Sequence, residues 1–327
     1  MEGYPALAGF VSPTLLFGNG NVYVVDSLDG GSVTLEHVGL GGALAPPATA
    51  SVTSVSNAAG TFLLPTGDWL LDSINPIPTT SALNAIPVDP TTGVPNGAAV
   101  PATTPTCGGS SANRYFFDAA GRFVIAACLG EAGATPTSYQ VVTFDRTSGT
   151  FPTAAAALHA ATPGYTIVAL DPLGRYVVWT NGSSFFAQQM LPAGAGFAAA
   201  GAVMTVPSSL STNNSINISP DGTHGVLAGA TNAIALVDID PTTGALTLHN
   251  TVTVASAGTA ATTNVVFDPA NPFVFVAEGT TPALHVFAYD SSGPAGLNSV
   301  ATIACGATPG TPVLSIYRAP PKGKPGI

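Results

Sequence analysis

Six oxygen-bearing side chains recur at matching points of the chain, each close behind a short apolar run: Asp26, Asp72, Glu131, Asn181, Asn232 and Glu278. Four carboxylates and two amides brought to one place could hold a hard cation such as calcium, which takes about six to eight oxygen ligands. Turn preference alone also puts Asp and Asn at such points, where they cap strands or solvate loops. If Asp26, Asp72, Glu131 and Glu278 bound a metal that activates water, hydrolysis would still need a cation or oxyanion hole for the developing charge. Arg114 and Arg318 are the cations expected on that side of the fold, with Asn181 and Asn232 as further polar groups. His37, His159, His224, His249 and His285 have no second His or carboxylate at ligand spacing and read as structural or exposed, with only His159 placed to face the acidic set. No Gly-x-Ser-x-Gly elbow, phosphate-binding Gly-Lys-Ser/Thr loop or Cys-x-x-Cys-His haem-attachment motif occurs.

Cysteine adds a second constellation. Cys107 lies in a loop entering a repeat and Cys128 at the end of that repeat's second strand, so a disulfide between them is feasible. The alternative is three reduced, partly buried thiols, and Cys305, in the matching loop of a later repeat, is free or cross-links a partner.

Two alternating turns position these residues. One recurs around Gly20, Gly67, Gly121, Gly174, Gly222 and Asn271, at intervals of 47, 54, 53, 48 and 49 residues. The other recurs as Asp89-Pro-Thr-Thr-Gly93, Asp145-Arg-Thr-Ser-Gly149, Asp240-Pro-Thr-Thr-Gly244 and Asp290-Ser-Ser-Gly293. Asp bonds the local backbone, Pro fixes φ and Gly accepts positive φ, which suits tight hairpins. A period near 50 residues with four strands in each is the pattern of an all-β propeller of four-stranded antiparallel blades. The chain therefore reads as one propeller domain over residues 1–327. Seven blades are favoured, six recognisable and the last built from both termini; six blades is the alternative. Residues 1–12 would be a closing or donor strand, 313–318 another first strand and 319–327 a tail, with Pro321–Pro325 standing where a further first-type turn belongs.

Charged residues make up 7% of the chain against about 25% in ordinary proteins. Seven basic against seventeen acidic residues leave no Lys/Arg cluster to neutralise phosphates, which argues against nucleic acid. No apolar run is long enough to span a membrane. Scarce Lys, abundant Thr, Ala and Pro, and sequons at Asn181, Asn213 and Asn217 suit an exported protein, extracellular, cell-surface or periplasmic, with a signal removed before residue 1.

The segments Ile234-Ala-Leu-Val-Asp-Ile-Asp-Pro-Thr-Thr-Gly-Ala-Leu-Thr247 and Ile216-Asn-Ile-Ser-Pro-Asp-Gly222 resemble the repeat of lactonase-like (YVTN-type) β-propellers, the group that includes bacterial 6-phosphogluconolactonase. The resemblance implies seven blades closed by a C-terminal innermost strand. It also implies His, Arg and acidic catalytic groups around the channel, for which no matching His and Arg motifs are found here. The leading functional expectation is thus a non-catalytic exported module that binds a protein partner or itself, with strand exchange in a surface assembly. The rival is a lactone hydrolase with a metal-assisted site at the channel mouth.

Overall fold

The computed structural model describes residues 14–18, 21–28, 32–38, 48–51, 58–64, 66–74, 82–89, 95–101, 107, 112–129, 136–152, 158–192, 195–210, 215–228, 233–254, 262–268, 271–278, 283–290 and 296–304. Among them the structure is nearly all β, in six up-and-down antiparallel sheets. The first holds β1 (Thr14–Gly18), β2 (Asn21–Leu28), β3 (Ser32–Val38) and β4 (Ala48–Ser51). The second holds β5 (Ala58–Leu63), β6 (Trp69–Ile74), β7 (Ala82–Pro87) and β8 (Val100–Pro101); the third, β9 (Ala112–Phe117), β10 (Phe123–Leu129), β11 (Pro136–Thr143) and β12 (Leu158–Ala160). In the fourth, β13 (Thr166–Leu170), β14 (Tyr176–Thr180) and β15 (Ser184–Met190) are followed by an outer strand in two pieces, β16 (Phe197–Ala200) and β17 (Met204–Thr205). The fifth holds β18 (Ser215–Ile218), β19 (His224–Ala228), β20 (Ala233–Ile239) and β21 (Leu246–Thr253), and the sixth β22 (Thr262–Phe267), β23 (Phe273–Glu278), β24 (Ala283–Tyr289) and β25 (Leu297–Ala304).

The chain forms two compact units. One comprises Met1–Ala161 with Pro192–Gly196 and Ala319–Ile327, and contains the first three sheets; the other comprises Thr162–Leu191 with Phe197–Arg318 and contains the last three. Within the first unit the first strands β1, β5 and β9 are successive neighbours, and within the second β13, β18 and β22 are. Residues 1–12, 313–318 and Pro321–Pro325 lie outside the described residues.

Burial follows strand position. The second strands β14 and β19 are covered on both faces, every residue being buried, and the third strand β20 is buried at all but one residue. The fourth strands β21 and β25 are more exposed, with no buried residue in β21 and only Leu297 buried in β25. Facing sheets share apolar clusters, with Leu71, Leu83 and Ala85 of the second sheet packing on Tyr115, Val124 and Ala126 of the third. Val226 and Ala228 of the fifth likewise pack on Val274 and Val276 of the sixth.

Four of the first-type turns close identically, the Gly amide donating to the carbonyl three residues earlier: Gly67 to Leu64, Gly121 to Asp118, Gly174 to Asp171 and Gly222 to Ser219, at 2.7–2.8 Å. In two of them the leading Asp is fully buried and holds the Arg that follows the Gly. Arg122 Nε lies 2.8 Å from Asp118 Oδ2, and Arg175 Nε 2.7 Å from Asp171 Oδ2. The turns also fasten neighbouring sheets. Arg175 Nη2 donates to the Asp221 carbonyl and the Tyr176 hydroxyl to the Gly222 carbonyl, both at 2.7 Å. In the first unit Arg146 pairs with Asp68 at 2.8 Å, and Trp69 Nε1 donates to the Arg146 carbonyl at 2.9 Å. At the second-type turns the Ser148 hydroxyl and then the Thr147 amide hold the Asp145 carboxyl below its ordinary range, as the Thr243 hydroxyl and Thr242 amide do for Asp240. A carboxylate with a depressed pKa stabilises the fold above its unfolded value, and that contribution is lost as pH falls through the folded one.

Burial, and then the charge of Asp171, push the Tyr176 phenol far above the usual range. The stability this gives is fully present below the unfolded pKa of about 10 and is lost as pH rises beyond it. Tyr176→Phe should therefore cost about 1 kcal/mol at neutral pH, from the lost hydrogen bond, yet narrow the gap with wild type near pH 11. Thermal melts of both proteins at the two pH values check this.

Cys107 and Cys128, both buried, are joined by a disulfide with sulfurs 2.10 Å apart, tying the loop before β9 to the end of β10 across 21 residues. The Cys107 amide donates to Gln140 Oε1 at 2.7 Å. Replacing both cysteines by Ala should destabilise the first unit by about 3 kcal/mol, the chain entropy of a loop of that length, seen as a lower urea midpoint.

Candidate functional site

First strands line the channel of a propeller, so the polar residues on or beside them come first. Arg114 lies exposed on β9, paired with Ala127 of β10. Asn217 is exposed on β18. Asp26, Asp72 and Glu278 fall inside β2, β6 and β23 rather than behind them. Register carries the second strands further than hydropathy suggests, because polar residues pair across the sheet as readily as apolar ones. Asp26 and Asp72 belong to the first unit and Glu278 to the second. Asn181 is exposed in the hairpin between β14 and β15, its Oδ1 accepting the Ser183 and Ser184 amides at 3.0 and 2.8 Å. Glu131, Asn232, Arg318, Cys305 and Asn213 lie outside the described residues.

Other basic side chains among the described residues are occupied. Arg122, Arg146 and Arg175 are bound in the turn ion pairs. His159 sits on β12, at the opposite edge of its sheet from β9. The expectation that it faces the channel side is therefore corrected: pairing with Tyr139 of β11 sets it on the outer strand, where Gly196 packs against its ring. His285 is buried on β24, its Nδ1 3.1 Å from Thr302 Oγ1.

The reading of His224 and His249 as lacking a carboxylate is also corrected. His249 Nε2 lies 2.6 Å from Asp238 Oδ2, and His224 Nε2 lies 3.5 Å from Oδ1 of the same carboxylate. His224 is Asp238's direct partner across β19 and β20, a proximity that linear spacing does not reveal. The Thr223 hydroxyl meets His224 Nδ1 at 2.8 Å, and the Tyr289 ring of the sixth sheet lies 5.3 Å from the His224 ring. This cluster holds three strands of the fifth sheet together and seats the sixth against them. Among the described residues no group of three His, Cys, Asp or Glu side chains is arranged to hold a metal. No described helix is long and apolar enough to cross a membrane.

β25 reads Leu297-Asn-Ser-Val-Ala-Thr-Ile-Ala304, is the outermost of the described strands in its sheet and carries no charge, with Val300 57% and Ile303 44% exposed.

No family model matches the sequence, and no curated protein is significantly similar to it. Solved structures are similar in fold. The periplasmic gluconolactonase PpgL of Pseudomonas aeruginosa superposes with a TM-score of 0.62 at 15% identity, over 89% of this chain and 85% of that one. A 6-phosphogluconolactonase candidate from Bacteroides uniformis gives 0.59 at 16% identity, over 85% and 80%. The Cps50 (Swd1) β-propeller domain of Myceliophteria thermophila gives 0.56 at 10%, over 89% and 85%. The repeated turns, the four-stranded sheets and these superpositions agree: the chain has the fold of a β-propeller.

Proposed function

We propose that this chain is an exported, non-catalytic propeller module that associates with a second copy of itself through a sheet edge. The observation that carries this reading is β25, an outermost strand of eight residues, exposed along seven of them and free of charge. Edge strands are normally blunted by Lys, Pro or inward charges, and this one has none. Residues 1–12 are the donor: the run Pro5-Ala-Leu-Ala-Gly-Phe-Val11 of one copy adds to the edge of another by strand addition. Export is supported by the Cys107–Cys128 disulfide, which suits an oxidising compartment, and by the similarity in fold to a periplasmic protein. Size-exclusion chromatography with light scattering should give a dimer or larger species for the intact chain and a monomer after deletion of residues 1–12.

A second reading, lactone hydrolysis, is favoured by exposed Arg114 on a first strand and by the gluconolactonase among the similar structures. It predicts metal-dependent turnover of gluconolactone that falls by about 100-fold or more in Arg114→Ala or Asp26→Ala. Absence of turnover across a lactone panel with calcium or zinc present would remove it.

A further inference from the structure

Asn181 stands exposed in the hairpin between β14 and β15, with Gly182 after it. Its side-chain oxygen Oδ1 accepts two backbone amides, that of Ser183 at 3.0 Å and that of Ser184 at 2.8 Å. Two donors on one carbonyl oxygen draw electron density from its carbon, and they stabilise the negative charge that an attacking nucleophile would leave on the oxygen. The carbon of this amide is thereby primed for attack.

A nucleophile lies beside it in the chain. The bonds to Ser183 and Ser184 fold the Asn181 side chain forward over its own backbone, and the peptide nitrogen between them and the Asn181 Cα is that of Gly182. Gly182 has φ +90° and no Cβ, so its own residue puts nothing in front of that nitrogen. The Gly182 N–H donates to the Thr180 hydroxyl at 2.9 Å, and that hydroxyl donates in turn to the Ser184 carbonyl at 3.0 Å, which gives the departing proton a path. Asn181 Nδ2, the leaving group, makes no hydrogen bond among the described residues.

We infer that Asn181 is a self-modifying site, which the folded chain converts to aspartate and isoaspartate. Gly182 N forms a bond to Asn181 Cγ as its proton passes to a solvent base; the bond from Cγ to Nδ2 breaks, and Nδ2 takes a proton from water and leaves as ammonia. Water then opens the resulting succinimide at either of its two carbonyls. The net reaction consumes one water, releases one ammonia and changes no oxidation state. Its product is a carboxylate at the point of the fourth repeat where the sequence of four other repeats already has one, as Asp26, Asp72, Glu131 and Glu278.

Asn96, followed by Gly97, supplies the comparison within the same chain. It too is exposed, and its backbone amide donates to the Pro87 carbonyl at 3.0 Å. No donor among the described residues meets its side-chain carbonyl, and Gly97 is packed on Pro87, where a Cβ would stand 2.8 Å from Pro87 Cγ. Asn96 thus has the same dipeptide without the polarised carbonyl.

The test is peptide mapping by mass spectrometry of the intact chain, aged at mildly alkaline pH in its folded state and, in parallel, in urea. The mass gain from exchanging NH for O reports conversion at each Asn, and separation of the isoaspartyl peptide identifies the succinimide route. In the folded chain Asn181 should convert at least about fivefold faster than Asn96, because only its carbonyl is held by two amides. In urea that geometry is lost, and the two rates should agree within about twofold. A smaller ratio in the folded chain would overturn the inference, and so would a ratio that persists in urea.

Discussion

Gly222→Ala is expected to destabilise the second unit by about 4 kcal/mol. Gly222 has φ +68°, where an L side chain costs about 1 kcal/mol or more. Space makes the larger difference. A Cβ there would stand 2.0 Å from both Arg175 Nη2 and Asp171 Oδ1, so the methyl group must displace an ion pair whose carboxylate is wholly buried. The turn of the fifth sheet is in this sense a lid on the turn of the fourth. Hydrogen exchange should quicken in Tyr176–Thr180 and His224–Ala228 together, on both sides of the contact. Confinement of the effect to the fifth sheet would show that only the backbone preference matters.

Arg175→Met should cost a similar amount, about 3–5 kcal/mol, because it strands the Asp171 carboxylate, which is fully buried, without its guanidinium. The Arg175 backbone amide would still donate to Asp171 Oδ2 at 3.0 Å, which favours the lower end of that range. Arg175→Lys should recover little. A point charge cannot give Nε and Nη2 to the two carboxylate oxygens and Nη2 to the Asp221 carbonyl as well. The double variant Arg175→Met with Asp171→Leu should regain much of the loss, since an apolar pair carries no desolvation debt. Urea denaturation of the three variants measures each step.

The turns made the fold readable. Asp-x-x-Gly and Asp-x-Thr-Thr-Gly encode local hydrogen bonds among residues a few positions apart, so their spacing delivered the strand repeat and the antiparallel sheets. Long-range register was not readable in the same way. His224, Asp238 and His249 are 14 and 11 residues apart along the chain and meet only because β19, β20 and β21 align. Asp26 and Asp72 drew attention as residues just behind strands, whereas pairing puts them within β2 and β6. The place of His159 is hidden for a related reason: pairing with Tyr139, 20 residues earlier in the chain, sets the strand it joins.

On the proposed reading the turn staples supply cohesion within the chain and the edge of β25 supplies association between chains. Sedimentation equilibrium of the intact chain beside Val300→Lys tests that division most directly. The account predicts a dimer or larger species for wild type and a folded monomer for the variant, whose charge at the middle of the edge blocks strand addition. A wild-type chain that sediments as a monomer and turns over gluconolactone would contradict it.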